Sequence, residues 1–278
     1  MISILINTYN RKDILIENLL NLKPIWNKAE IIVLDDCSSD GTDKSTKEFI
    51  SRHKINIRYL RNEKNQGYAK SLNIGIKACS KDFIFIVNDD NILMQPRDSL
   101  DIFEKHQKKN YIIGTKLKMN KLPIIKRIKG LIYRIPAETL AGEVYNYNGS
   151  KVRTVKYCNN VFGFNRNTGI LFDEKSYIKN VFRIESDFQK RARKKGIKIL
   201  YYPDIVTIHK HIQYGGLREK KINFLLYCIY NHIIFLRKNF PISKYYKLPF
   251  YFILKTSTHP FFLVKIIKVF DSSFRNKI

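Results

Sequence analysis

Ile31-Ile32-Val33-Leu34-Asp35-Asp36-Cys37-Ser38-Ser39-Asp40-Gly41-Thr42 decides the fold of this chain. Four apolar, mostly β-branched residues read as a strand that ends on two carboxylates. The Ser, Asp and Gly that follow make a turn, and Asp40 and Thr42 can cap a helix reaching about His53. Upstream, Ile2 to Ile6 is a second such strand, followed by Ile14, Leu15, Leu19 and Leu22 at helical spacing. Downstream, Ile55 to Leu60 is a third, and Gly67 then opens a helix with Leu72, Ile76 and Cys79 on one face. Phe83 to Val87 is a fourth. Strands alternating with helices in this way require right-handed crossovers and a mostly parallel sheet, with ligands at the carboxyl ends of the strands.

The second half is less regular. Tyr157 to Asn165 reads as a strand entering a loop, Glu185 to Lys195 as a helix closed by Gly196, and Ile197 to Tyr202 as another strand. Beyond Leu217 the character changes to apolar runs broken by Lys and Pro. Ile222 to Leu236 is too short to span a bilayer, which takes about 20 residues. The expected organisation is one α/β domain over 1–216, in two halves (1–110 and 111–216), then a helical apolar-basic extension over 217–278.

Composition narrows the partners. The 278 residues are 44% hydrophobic and 13% aromatic, well suited to a packed core. Cys37, Cys79, Cys158 and Cys228 lie far apart without metal-ligand spacing, so neither a zinc site nor a disulfide framework is indicated. The N-terminus starts on a strand and carries no secretory signature, so the expectation is a cytoplasmic protein. With 51 basic against 24 acidic residues the net charge is +27, which calls for a polyanionic partner. The excess avoids the first ninety residues. It gathers at Lys116, Lys118, Lys121, Lys126, Arg127, Lys129 and Arg134, and again beyond Leu217. Runs such as Phe261 to Val264 and Ile266-Ile267, punctuated by Lys265 and Lys268, suit a helix lying on an anionic membrane, here the inner face. Packing on the catalytic domain or a homodimer interface is the alternative.

Two acidic strand ends carry the chemistry. Asp36 can accept from the imide N–H of uracil, thymine or guanine, or can simply form the turn. At Val87-Asn88-Asp89-Asp90-Asn91 an apolar strand ends on adjacent carboxylates, which repel unless compensated. A hard divalent cation relieves that repulsion, takes oxygen ligands and leaves positions open for a diphosphate. A nucleic-acid-binding protein would explain the charge but not these acidic strand ends, and no zinc-finger, RRM or helix-turn-helix signature is present. A nucleotidyltransferase would need a glycine-rich, basic phosphate loop near the N-terminus, and none is visible.

Taken in order, Ile4-Leu5-Ile6-Asn7-Thr8-Tyr9-Asn10-Arg11, Val33 to Thr42, Asn65-Gln66-Gly67 with Asn73, and Asn88-Asp89-Asp90 resemble the family 2 inverting glycosyltransferases of the GT-A fold, over residues 1 to about 210. The resemblance implies a Rossmann-like α/β sheet and a transferase moving a sugar from a nucleotide-diphospho-sugar to a glycan or lipid-linked hydroxyl. UDP is the commonest donor nucleotide in the family. It implies Thr8, Asn10, Arg11, Asp36, Gly67, Asn73 and Asp89 on the donor. It also implies Asp90, Asp89 and His209 near Mn²⁺ or Mg²⁺, with the division of roles between the two acids left open. Leu72 departs from the family, many of whose members have Arg there. Glu185-Ser186-Asp187-Phe188-Gln189-Lys190-Arg191 resembles the segment that carries the catalytic base. Counting back from Arg191 puts the base on Glu185, one methylene longer than the family's Asp, with Asp187 as the candidate two residues on.

Overall fold

In a computed structural model of the chain, residues 1–119, 149–177, 182–210, 215–216 and 221–242 are described. The first strands and helices are β1 (Ser3–Thr8), α1 (Lys12–Asn21), β2 (Glu30–Asp35), α2 (Thr42–His53), β3 (Ile57–Arg61), α3 (Tyr68–Ala78) and β4 (Phe83–Asn88). After them come β5 (Asn91–Leu93), α4 (Pro96–His106), β6 (Tyr111–Met119), β7 (Arg153–Val155), β8 (Phe162–Asn165), α5 (Ile184–Lys194), β9 (Lys198–His209) and α6 (Lys221–Asn239).

One sheet runs β3-β2-β1-β4-β8-β6-β9-β5, with β7 also paired to β9. The strands β1 to β4 are parallel, and β6 and β9 share their direction. The strands β8, β5 and β7 run against them. The frame is therefore mostly parallel, as the alternation requires, with β8 reversed at its centre.

Both faces of β1, β2 and β4 are buried, which is why they read as unbroken apolar runs, whereas the edge strand β3 exposes Arg58 and Arg61. Ile4, Ile6, Ile31, Val33, Phe83, Phe85 and Val87 meet Leu15 and Leu19 of α1, Phe49 of α2 and Phe103 of α4. Leu5, Ile32, Leu34, Ile84 and Ile86 meet Leu72 and Ile76 of α3, Phe188 of α5 and Phe235 of α6. The change of face follows from handedness. Strand order steps outward from β1 to β3 and then returns past β1 to β4, so a right-handed crossover must put α3 on the opposite side from α1 and α2. The reversal opens a crevice between the carboxyl ends of β1 and β4, where Asn7 pairs with Asn88. Gly75 permits the tight seating of α3, since a Cβ there would come 2.5 Å from a methyl of Leu5.

The strand β9 is longer than the expected 197–202. Its register against β6 jumps from Tyr202 to Val206, at Pro203, which has no N–H for the ladder. Beyond the bulge it pairs with β5 and brings His209 opposite Asn91.

The expected boundary after 216 is crossed by packing. In α6, Ile229, Phe235, Leu236, Asn231 and His232 are fully buried or nearly so, and Phe235 and Leu236 belong to the α3 and α5 core. From Tyr227 on, this helix packs into the core of the sheet domain, because its apolar face covers α5. No helix among the described residues is long and apolar enough to cross a membrane. Of the expected membrane contact over 217–278, residues 217–220 and 243–278 lie outside the described residues, as does the basic cluster beyond 119.

Candidate functional site

The turn after β4 is turned inward. Asp90 is only 5% exposed and Asp89 only 3%. The reason is a cation supplied by the chain itself. The guanidinium Nη1 of Arg11 donates to Asp89 Oδ1 at 2.8 Å and to Asp90 Oδ2 at 2.7 Å. Thr8 Oγ1 donates to Asp89 Oδ2 at 2.8 Å, and Asn91 Nδ2 to Asp90 Oδ1 at 2.9 Å. Burial pushes the Asp89 carboxyl up to about 6, against the opposing pull of Arg11 and with a further push from Asp90. The backbone of the turn is held from below by Asn18, whose Nδ2 faces the carbonyls of Asn88, Asp89 and Asn91 at 3.3, 3.1 and 3.1 Å. Asn18 was missed from sequence. Its signal was a polar residue inside the apolar stripe Ile14, Leu15, Leu19.

His209 Nε2 lies 3.6 Å from Asp90 Oδ2, and the amide of Lys210 donates to the Asp90 carbonyl at 2.8 Å. A divalent cation fits this site on two counts. The donors are hard carboxylate oxygens with an imidazole alongside, and a cationic nitrogen already sits between the two carboxylates. Among the described residues no cluster of three or more acidic, His or Cys ligands occurs. The chain therefore offers few donors, which suits Mg²⁺ or Mn²⁺ completed by water and diphosphate.

The second acidic turn builds the neighbouring wall. Asp36 Oδ1 accepts from Asn62 Nδ2 at 2.8 Å and the Gln66 amide at 2.7 Å, and Oδ2 accepts from the Gly67 amide at 2.9 Å. Asp36 thus anchors the 62–67 loop, and its Oδ2 retains a lone-pair direction, since a carboxylate accepts about four hydrogen bonds. Gly67, at φ +82°, takes a conformation that L side chains rarely adopt. Asn10 fastens the turn to β1: its Oδ1 accepts from the Ser39 amide at 2.7 Å and its amide donates to Ser38 Oγ at 2.8 Å.

Asn73 is a correction. It was expected on the donor, but it is 2% exposed and its amide is committed elsewhere. Nδ2 donates to the Phe172 carbonyl and Glu174 Oε1, and Oδ1 accepts from the Phe172 amide. It clasps 172–174 to α3, a task that uses both ends of the carboxamide.

The two acids of α5 separate. Asp187 is fully buried, accepting from Arg191 Nε and Asn239 Nδ2, each at 2.7 Å. It joins α5 to α6, and the expectation of a catalytic Asp187 is corrected, since it is fully buried between these two partners, with no surface open to a substrate. Glu185 points the other way. Its carboxyl meets the hydroxyl of Tyr68, and that hydroxyl lies 2.9 Å from Asn88 Oδ1, one residue before Asp89. Burial pushes Glu185 up to about 7, moderated by its own backbone amide and by Tyr68. Its Oε1 is buried without a hydrogen-bond partner among the described residues. Tyr68 had been passed over as part of a helix opening.

The model of the family described as "Glycosyl transferase family 2" matches residues 3–175. Poly-beta-1,6-N-acetyl-D-glucosamine synthase of Staphylococcus aureus strain MSSA476 is 30% identical over 159 residues, 53% of this chain and 38% of the relative. The Staphylococcus epidermidis synthase is 27% identical over 157 residues. The match thus spans well under half the length of these relatives. S. aureus TarS 1–349 in complex with UDP-GlcNAc superposes with a TM-score of 0.63 at 16% identity, over 94% of this chain and 75% of that one. The mannosyltransferase PcManGT of Pyrobaculum calidifontis, in complex with GDP-Man and Mn²⁺, gives 0.60 at 12% identity, over 99% and 82%. These structures share the fold, and the family match over more than half of its length means that the chain belongs to glycosyl transferase family 2.

Proposed function

We propose that the protein is a metal-dependent inverting glycosyltransferase that moves a sugar from a nucleotide-diphospho-sugar to a hydroxyl of a glycan or lipid-linked acceptor. The observation that carries this reading is the meeting, through Tyr68 and Asn88, of the buried Asp89-Asp90 pair with a carboxyl raised to about 7. Asp36 reads the base, with Gly67 and Asn10 holding the turns around it, and Thr8 positions Asp89 toward the ribose. Asp90, with His209 alongside, would hold Mn²⁺ or Mg²⁺, which would supply positive charge to offset that of the diphosphate. Glu185 takes the proton from the acceptor hydroxyl as its oxygen bonds to the anomeric carbon. The bond from that carbon to the diphosphate breaks on the opposite face, and the nucleoside diphosphate leaves. A base near 7 is matched to neutral pH, since the carboxylate form is available and still basic enough to accept.

UDP-GlcNAc is the first donor to test, because the synthase relatives are named for N-acetylglucosamine and TarS is seen with this donor. A membrane-proximal acceptor is supported by the basic, apolar composition beyond Leu217. The test is release of UDP from UDP-GlcNAc, and of GDP from GDP-mannose, in Mn²⁺ and in chelator. We expect metal-dependent release in the wild type and none from Asp90→Asn. Full activity of Asp90→Asn in chelator would refute the metal assignment, and absence of release from any nucleotide sugar would refute the transferase reading.

A further inference from the structure

Arg11 does two things at once that no single ordinary ion pair does. One nitrogen, Nη1, bridges both carboxylates of the adjacent pair, and the side chain is only 7% exposed. Its cover is Gly215-Gly216, described between β9 and α6, with the Gly216 amide donating to the Tyr9 carbonyl at 2.7 Å. Both glycines have positive φ, +65° and +59°. A Cβ on Gly215 would lie 2.0 Å from the Asn10 carbonyl oxygen, and one on Gly216 2.5 Å from Arg11 Nη2. Only glycine lets backbone lie flat against the guanidinium, and the resulting dryness strengthens the pairing.

We propose that Arg11 is a resident counter-cation for Asp89 and Asp90, which the divalent ion must displace and which then turns to the donor's diphosphate. The inference rests on the metal-dependent reading above. Two carboxylates at hydrogen-bond distance from one Nη1, 2.8 and 2.7 Å, leave that nitrogen where a metal bonded to both acids would sit. Guanidinium and metal therefore exclude one another. Because the described residues supply few metal ligands, the ion takes the rest from water until diphosphate arrives, whose negative charge holds it more firmly. Diphosphate is also what a displaced guanidinium binds well, through its planar fork of donors. Metal alone must thus compete with Arg11, whereas metal with nucleotide need not. Apparent affinity for metal alone falls by the fraction of molecules in which Arg11 is disengaged.

The experiment titrates Mn²⁺ by electron paramagnetic resonance, first without nucleotide, into wild type and Arg11→Met, a variant of similar length without charge. UDP affinity is then measured at saturating Mn²⁺. For Arg11→Met we expect Mn²⁺ alone to bind on the order of tenfold tighter, and UDP on the order of tenfold weaker. A purely structural Arg11 would weaken both. Should Arg11→Met fail to fold without metal, Arg11→Lys serves, since a point charge cannot bridge both acids as well, and the same opposite signs are expected at smaller size. Mn²⁺ binding that is unchanged or weaker in the folded variant overturns the proposal. The Mn²⁺ titration needs neither donor nor acceptor, so a failed sugar transfer and a failed displacement are read separately.

Discussion

Two of the chain's acidic stretches, Asp89-Asp90 after β4 and Glu185 with Asp187 at the start of α5, solve the same electrostatic problem differently. At the strand end the acids are adjacent, both turn into one crevice, and a single guanidinium serves both. On the helix they are two apart, about 200° around the axis, so they must face different surroundings. Asp187 turns to the core and is saturated by Arg191 and Asn239, whereas Glu185 turns to the crevice and has a tyrosine hydroxyl. Spacing along the chain, more than the number of acids, decides whether neighbouring carboxylates share a partner or divide the labour.

The sharpest way to break this comparison is to neutralise the helix acids one at a time. Glu185→Gln should lower turnover by a factor on the order of 10²–10⁴ with donor affinity nearly unchanged. Asp187→Asn should lower the melting temperature by several °C, because Arg191 loses its buried partner. Steady-state kinetics and thermal melts on the same samples decide it, and the reverse pattern would mean that the helix is turned the other way in the working enzyme.

A subtler change probes how Glu185 is tuned. Tyr68 has one hydrogen for two acceptors, Asn88 Oδ1 and the Glu185 carboxylate, and its contact with Glu185 lowers that carboxyl. Asp90 bears on Tyr68 rather than on Glu185 directly, and Asp187 and Arg191 of α5 pair with each other. In Tyr68→Phe burial acts unopposed by the hydroxyl, so Glu185 should rise further above 7. The acidic limb of kcat/KM should then move to higher pH. A limb that stays in place would remove Tyr68 from the base.

The smallest expected effect is on stability. Burial holds Glu185 above its ordinary 4.5, so folding favours the protonated form. The associated stability is present below about 4.5 and is lost as pH rises through about 7. Glu185→Gln removes the loss, so its melting temperature relative to wild type should climb by a few °C between pH 5 and pH 8. An offset independent of pH would mean that Glu185 is solvated in solution.

Much of the first ninety residues was legible because doubly buried parallel strands leave unbroken apolar runs and their ends carry the acidic turns. Less of the second half was. The three residues of β5 are too few for a pattern, and β6, with Gly114, Lys116 and Lys118, takes its strand character from the β8 and β9 pairing. The helix α4 could have been found, since Pro96 at its start and Leu100 with Phe103 on its buried face are ordinary signals. Within the site, the acids and Arg11 were visible as residue types. Their pairing was not, because Arg11 and Asp90 are 79 residues apart. For the same reason Asn73 looked like a donor contact: its partners at 172 and 174 are distant in sequence, and nothing local announces a clasp.

The strand order also has a consequence in time. Everything that builds β3-β2-β1-β4 lies within the first 88 residues, so this half can assemble while the rest is still being made. The free edge of β4 must then wait for Phe162 to Asn165, and β6 for its partner from Lys198 onward. At ordinary elongation rates that is a delay on the order of ten seconds, with the apolar edge Ile84-Phe85-Ile86 unpaired. A ribosome stalled in that interval would present a nascent chain that is half folded and adhesive, the state in which a chaperone has most to offer.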